Sequence, residues 1–197
     1  MDTGLGEALA AQYRKVGAKV VAASWDAAAN AFPTPKARRV KLLPAEQLLH
    51  EDYALVVFIP PEVDAAAGDK VMSAIALEPE RLLRALLERP AGAPPERIVL
   101  LSPVVPLHTA GQEKELRFLR AARAAQLSFI RSIAASTEAN RAIAVAIAPA
   151  WGTGLDGAPL RASGLDAEAR ILVTTIAGIA QDRRGELLDL HGSRLPI

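Results

Sequence analysis

The chain contains no cysteine in its 197 residues. That excludes disulfides, thiolate metal sites and a cysteine nucleophile. Aromatic residues are scarce, 4% of the total, so the 51% hydrophobic content rests on alanine, leucine, valine and isoleucine. Small aliphatic side chains of this kind let helices close onto a parallel sheet. No charge of either sign dominates: 23 basic against 22 acidic side chains give a net charge of +1. The balance supplies no electrostatic argument for nucleic acid or an anionic membrane as a partner. No apolar run approaches the roughly 18 residues of a membrane-spanning helix. The N-terminus lacks the basic start and apolar core of a secretory signal. The expectation is a soluble, cytoplasmic protein. Three histidines, His50, His108 and His191, are scattered without ligand spacing, so no metal site is expected.

What is present is an alternation of helical and strand-like segments, in a length that suits one domain over 1–197. Apolar positions at helical spacing run from about Glu7 to Val16, and Gly17 stops them. Lys19–Ala23 reads as a short buried strand and Arg39–Leu43 as a weaker one. "DYALVVFIPP" and "ERIVLLSP" are strand-type runs ended by proline. Helices are predicted over Glu78–Arg89, Glu113–Ser136 and Ala167–Gln181, with strands at "RAIAVAIAP" and "GELLDLHG". Such alternation predicts right-handed βαβ crossovers and a mostly parallel, doubly wound α/β sheet.

Four stretches carry a family resemblance. "GLGEALAAQYRKVGAKVV" is similar to a glycine-opened first helix and second strand. "RAARAAQLSFIRSIAAST" resembles a long interface helix, "RAIAVAIAPAWGTG" a strand and turn leading to a substrate loop, and "GELLDLHGS" a closing strand. Together they resemble the short-chain dehydrogenase/reductase family, in particular its 3-oxoacyl and 3-hydroxyacyl thioester branch. The resemblance implies a Rossmann-like doubly wound sheet that lacks its first strand, since Met1 stands where that strand would end.

The residues that would carry the chemistry depart from the family pattern. Matching the long helix places Leu119 at the catalytic tyrosine position and Arg123 at the lysine position. Leucine cannot act as the general acid/base, and the arginine has no phenol beside it to tune. Past "ERIVLLSP", Ser102 and Pro103 compete for the serine position; Ser102 could hydrogen-bond a carbonyl or cap the strand end. Tyr13 and Tyr53 fall where neither replaces the acid. On the cofactor side only Gly4 and Gly6 match the glycine signature, and close approach of a neighbour would equally account for them. "FIPP", Phe58 to Pro61, stands in place of the Asn-Asn-Ala-Gly turn, with bulk and two missing donors. Asp26, beside Trp25, reads as a ribose-binding acid or a surface residue.

The resemblance therefore implies a degenerate member with no catalytic residue and no cofactor of its own. It would pair with an active short-chain dehydrogenase paralogue, which holds NAD(P), in a hetero-oligomer such as a heterotetramer. The inactive subunit of the heteromeric benzylsuccinate-pathway dehydrogenase is the kind of protein it would be similar to. The assembly face would be the long helix, through Leu116, Leu119, Arg123, Leu127, Ile130 and Ile133. An oxidoreductase active in its own right, using Ser102 and another acid, is the alternative; a module that binds an acyl thioester without turnover is a third reading. Remaining candidates divide between function and surface. His108 borders the substrate cleft or is a solvated loop residue. Arg117, Arg120 and Arg123 clamp a CoA phosphate or form a solvated or interface face. Trp151 plugs the pocket or meets a partner, and Asp156 and Asp166 are turn and helix-cap residues.

Overall fold

A computed structural model describes residues 3–24, 42–60, 68–88, 92–102, 113–136, 142–149 and 164–195. Helix α1 covers Thr3–Lys15 and ends where the sequence says it should. Gly17 adopts φ +85°. Its N–H and that of Ala18 return to the carbonyls of Arg14 and Tyr13, both at 3.0 Å, which satisfies carbonyls the helix leaves open. Short strands β1 (Ala22–Ser24) and β2 (Leu42–Pro44) follow. A 3₁₀ helix over Ala45–His50 leads to β3 (Leu55–Phe58). Helix α2 (Asp69–Met72) passes through a π-helical turn, Ser73–Leu77, into α3 (Glu78–Glu88). Strand β4 (Arg97–Leu101), helix α4 (Glu113–Ser136), strand β5 (Ile143–Ile147), helix α5 (Leu165–Gly178) and strand β6 (Leu187–Leu188) complete the chain.

All strand pairs are parallel. Among the described residues they form two sheets, β1–β2 and β3–β4–β5–β6. β5 is buried along its whole length, as the apolar run "IAVAI" requires of a strand covered on both faces. Alternate residues divide between two cores. Val99, Leu101, Val145 and Ile147 pack under Leu5 and Leu9 of α1 and Leu172 and Ile176 of α5. Ile98, Leu100 and Ala144 pack under Leu83 of α3 and Ile130 and Ile133 of α4.

That division corrects the expectation of uniformly right-handed crossovers. β3→β4, β4→β5 and β5→β6 all step the same way across the sheet. Their helices α3 and α4 lie on one face while α5 lies on the other, so the last crossover has the opposite hand to the first two. Burial accounts for it. α1 alone leaves much of its face bare, and α5 docks beside it through Ala169, Leu172 and Ile176. The return into β6 is tight. Gly185, at φ +78°, donates its N–H to the Ala144 carbonyl at 2.8 Å, and a Cβ there would stand 3.2 Å from the Ala134 Cβ. Arg184 donates to the Ala134 carbonyl at 2.9 Å, close to the end of α4.

Candidate functional site

In open parallel sheets, ligands bind outside the carboxyl ends of the strands. At that end of β4 the chain places Ser102, whose N–H extends the ladder to the Ile147 carbonyl at 2.8 Å. Its side chain is 3% exposed, and its hydroxyl donates to Gln126 Oε1 at 3.3 Å. Arg123, one turn earlier on α4, donates from Nη1 to the same oxygen at 3.2 Å. Gln126 completes the cluster by donating Nε2 to the Ile75 carbonyl, in the π-helical turn, at 2.5 Å. Two donors from different elements thus converge on one neutral oxygen. π-Helical turns recur at functional sites because they re-aim backbone groups, and here the turn supplies the carbonyl that fixes Gln126.

Electrostatically the cluster is unusual. Burial lowers the Arg123 pKa to about 10, still far above neutrality, so the guanidinium remains a cation at pH 7. Its Nε–H is buried and donates to nothing among the described residues. The sequence reading placed Ser102 and Arg123 as separate positions; the structure joins them through Gln126, which that reading missed. The available signal was one polar residue, three positions after Arg123, within an alanine- and leucine-rich stretch.

Leu119 lies one turn before Arg123 on α4. It packs against the apolar cluster of Val71, Ile75, Ala76 and Ala122, beside Phe118. Both tyrosines of the chain belong to the other end of the sheet. Tyr13 lies on α1, close enough to Arg97, the first residue of β4, for the guanidinium to pull its pKa down against the dominant effect of burial, which pushes it to about 12. Tyr53 precedes β3. The length of β4, roughly 16 Å at 3.3 Å per residue, separates that end from Ser102.

The glycine signature is corrected. Gly4 and Gly6 lie inside α1, which begins at Thr3, and form no turn ahead of it. Gly6 is where α1 meets the end of β3: a Cβ there would stand 3.3 Å from Ile59 Cδ1. Phe58 is buried in the second core. The start of α1 and the end of β3 thus meet at Gly6 and Ile59, where the family resemblance would put the dinucleotide.

Residues assigned to the interface are in part accounted for within the chain itself. Ile130 and Ile133 are 0% and 4% exposed, packed against the sheet of their own chain. Leu119 and Leu127 pack inward beside buried clusters, and Arg123 is held by Gln126. Among the described side chains of α4 the exposed ones are Arg117, Ala121, Ala124, Ser128, Arg131, Ser132, Ala135 and Ser136. The three arginines do not share a face. Arg117 is exposed and stacks 4.7 Å over the Phe118 ring, whereas Arg120 and Arg123 are partly buried. Asp166 sits within the first turn of α5 with Gly164 as the N-cap, so it favours the helix dipole without capping. Pro103, His108, Trp25, Asp26, Pro61, Trp151, Asp156 and the Leu116 side chain lie outside the described residues. Among the described residues no group of histidines and carboxylates could hold a metal, and no helix is long and apolar enough to cross a membrane.

No protein-family model matches the chain, and no curated protein matches it. Solved structures do. Carbonyl reductase Sniffer of Drosophila melanogaster superimposes with a TM-score of 0.68 at 15% identity, covering 98% of this chain and 95% of that one. A carbonyl reductase of Pseudomonas aeruginosa PAO1 in complex with NADP gives 0.69 at 18% identity, covering 98% and 94%. A Burkholderia multivorans protein described as a short-chain dehydrogenase/reductase, with bound NADP, gives 0.65 at 23% identity, covering 98% and 95%. At these identities the likeness establishes the fold, a Rossmann-like α/β sheet over nearly the whole chain.

Proposed function

We propose that this chain is a non-catalytic subunit of a heteromeric short-chain dehydrogenase/reductase acting on a hydroxyacyl or oxoacyl thioester. It stabilises an active paralogue, in a heterotetramer or similar assembly, and the paralogue holds the NAD(P). The carrying observation is Leu119 packed into an apolar cluster at the position the family resemblance gives to the proton-transferring tyrosine, while both tyrosines sit at the far end of the sheet. A leucine side chain moves no proton. Two further features support the reading. The start of α1 and the end of β3 meet through Gly6 and Ile59, and α4 presents outward a run of alanine and serine that allows a second helix to approach closely.

The test is co-expression with an intact short-chain dehydrogenase homologue from the same genome. The expected result is a stable complex whose dehydrogenase activity is lost when NAD(P) binding is removed from the paralogue, while this chain alone shows none. Purification as a homo-oligomer that oxidises a hydroxyacyl-CoA with NAD(P) would sink the proposal. That outcome defines the second reading, an NAD(P)-dependent oxidoreductase in its own right. It is favoured by Ser102 at the carboxyl end of β4 and by the NADP carried by two of the matched structures. Fluorescence enhancement of NAD(P)H by the isolated chain separates the two.

A further inference from the structure

β6 lies at one end of the four-stranded sheet, and its outer edge is taken by residues that follow it. The chain turns back over residues 189–192 and lays residues 193–195 antiparallel to β6. Leu188 bridges Arg194. The Leu195 N–H donates to the Leu187 carbonyl and the Asp189 N–H to the Ser193 carbonyl, both at 2.8 Å. The side chains fit as well. Leu195 packs beside buried Ala146, Ala148 and Leu187, and Arg194 Nε lies 3.6 Å from Glu186 Oε1. The turn holds this strap shut. Asp189 Oδ1 accepts the N–H groups of His191 and Ser193, each at 2.8 Å, and the Thr175 hydroxyl of α5 donates to the Leu190 carbonyl at 2.8 Å. Gly192 takes φ +85°, a left-handed conformation that glycine adopts without steric cost. A Cβ there would meet Thr175 Cγ2 at 3.4 Å.

The pairing is symmetric about one residue. Positions 188 and 194 are equally far from His191, as are 189 and 193, and 187 and 195. A two-fold axis between two facing His191 residues therefore sets position 188 opposite position 194 of a second copy and repeats the strap's bonds between chains. We infer that the outer edge of β6 is a self-association surface on which two copies of this chain exchange straps reciprocally. In the exchanged pair residues 187–195 run as one extended strand. The second copy's arginine and leucine take the places of Arg194 and Leu195, against Glu186 and the Ala146–Ala148 cluster. Exchange of an identical element restores the contacts it breaks, so the turn and the chain concentration decide the balance. A tethered strap acts at an effective concentration on the order of millimolar. At micromolar chain the closed form dominates, and a change that disfavours the turn favours the pair.

The test uses the isolated full chain. Gly192→Val, which cannot take the left-handed turn without strain, is expected to sediment at micromolar concentration with twice the mass formed by the unaltered chain. The chain contains no cysteine, so single thiols introduced into the Gly192→Val background report the register. Residues facing across the two-fold axis stand about 5.5 Å apart at Cα, within the reach of a disulfide, so His191→Cys is expected to give a cross-linked pair on oxidation. Arg194→Cys, which faces position 188 instead, is expected to give none. Thr175→Val releases the Leu190 carbonyl; it is expected to raise the mass in the same direction and decides the matter if Gly192→Val does not fold. A folded Gly192→Val chain with the mass of the unaltered one, or cross-linking through Arg194→Cys as strong as through His191→Cys, overturns the exchange. These measurements involve no paralogue, so their failure leaves the subunit reading untouched.

Discussion

Gln126 is the residue on which the interior polar chemistry turns, and its loss should be felt accordingly. Gln126→Leu leaves the Ile75 carbonyl, the Ser102 hydroxyl and Arg123 Nη1 without their partner. At about 1–3 kcal/mol for each buried group left unsatisfied, the variant should lose at least about 2 kcal/mol in urea denaturation. Tyr13 gives a pH signature. Its folded pKa of about 12 lies above the ordinary 10.0, so between those values the unfolded chain releases a proton that the folded chain keeps. Stability should be unaffected by this group below pH 10 and fall as pH rises from 10 to 12. Tyr13→Phe should flatten that part of the profile in denaturation midpoints measured across the window. The family resemblance singled out Ser102 and Arg123, by matching a strand end and the long helix. It could not pair them, because their common partner is an ordinary glutamine whose significance arises only when α4 folds across the π-helical turn.

At the scale of elements, α4 matches its predicted span, Glu113–Ser136, but Ile130 and Ile133, read as assembly residues, are buried in the chain's own core. Large apolar residues at helical spacing report burial without saying against what, and here the burial is against the chain's own sheet. Ile130→Ala should therefore cost about 2–5 kcal/mol in the isolated chain, as for a large-to-small change in a packed core. Ala124→Glu, on the outward face, should leave isolated-chain stability within about 0.5 kcal/mol while preventing co-purification with the paralogue. α1 begins earlier than its pattern suggested. Glycine costs about 1 kcal/mol in a helix interior, so Gly4 and Gly6 read as a turn, but close packing of Gly6 on Ile59 overrides that penalty. The reverse holds at Gly185. Gly185→Ala demands a left-handed conformation and crowds Ala134, so it should destabilise by more than about 1 kcal/mol, checked by thermal denaturation.

For the whole molecule, the parallel α/β sheet was legible because strands buried on both faces leave continuous apolar runs, as "IAVAI" does. The opposite-handed last crossover was not legible, since it depends on which face α1 leaves uncovered, a property of the assembled layers. Nor was the division of the strands into two sheets. Among the described residues β1 and β2 pair only with each other, over three residues each. They are tied to the rest by the adjoining 3₁₀ helix and by an exposed Lys19–Glu51 ion pair at 3.0 Å. A two-stranded ribbon is marginal alone, whereas β4 and β5 are locked between two cores. Protection from solvent deuterium should follow that hierarchy. The amides of Val99, Leu100 and Val145 should exchange only when the entire chain opens, while those of Ala23 and Leu43 exchange through small, frequent openings that leave the four-stranded sheet intact.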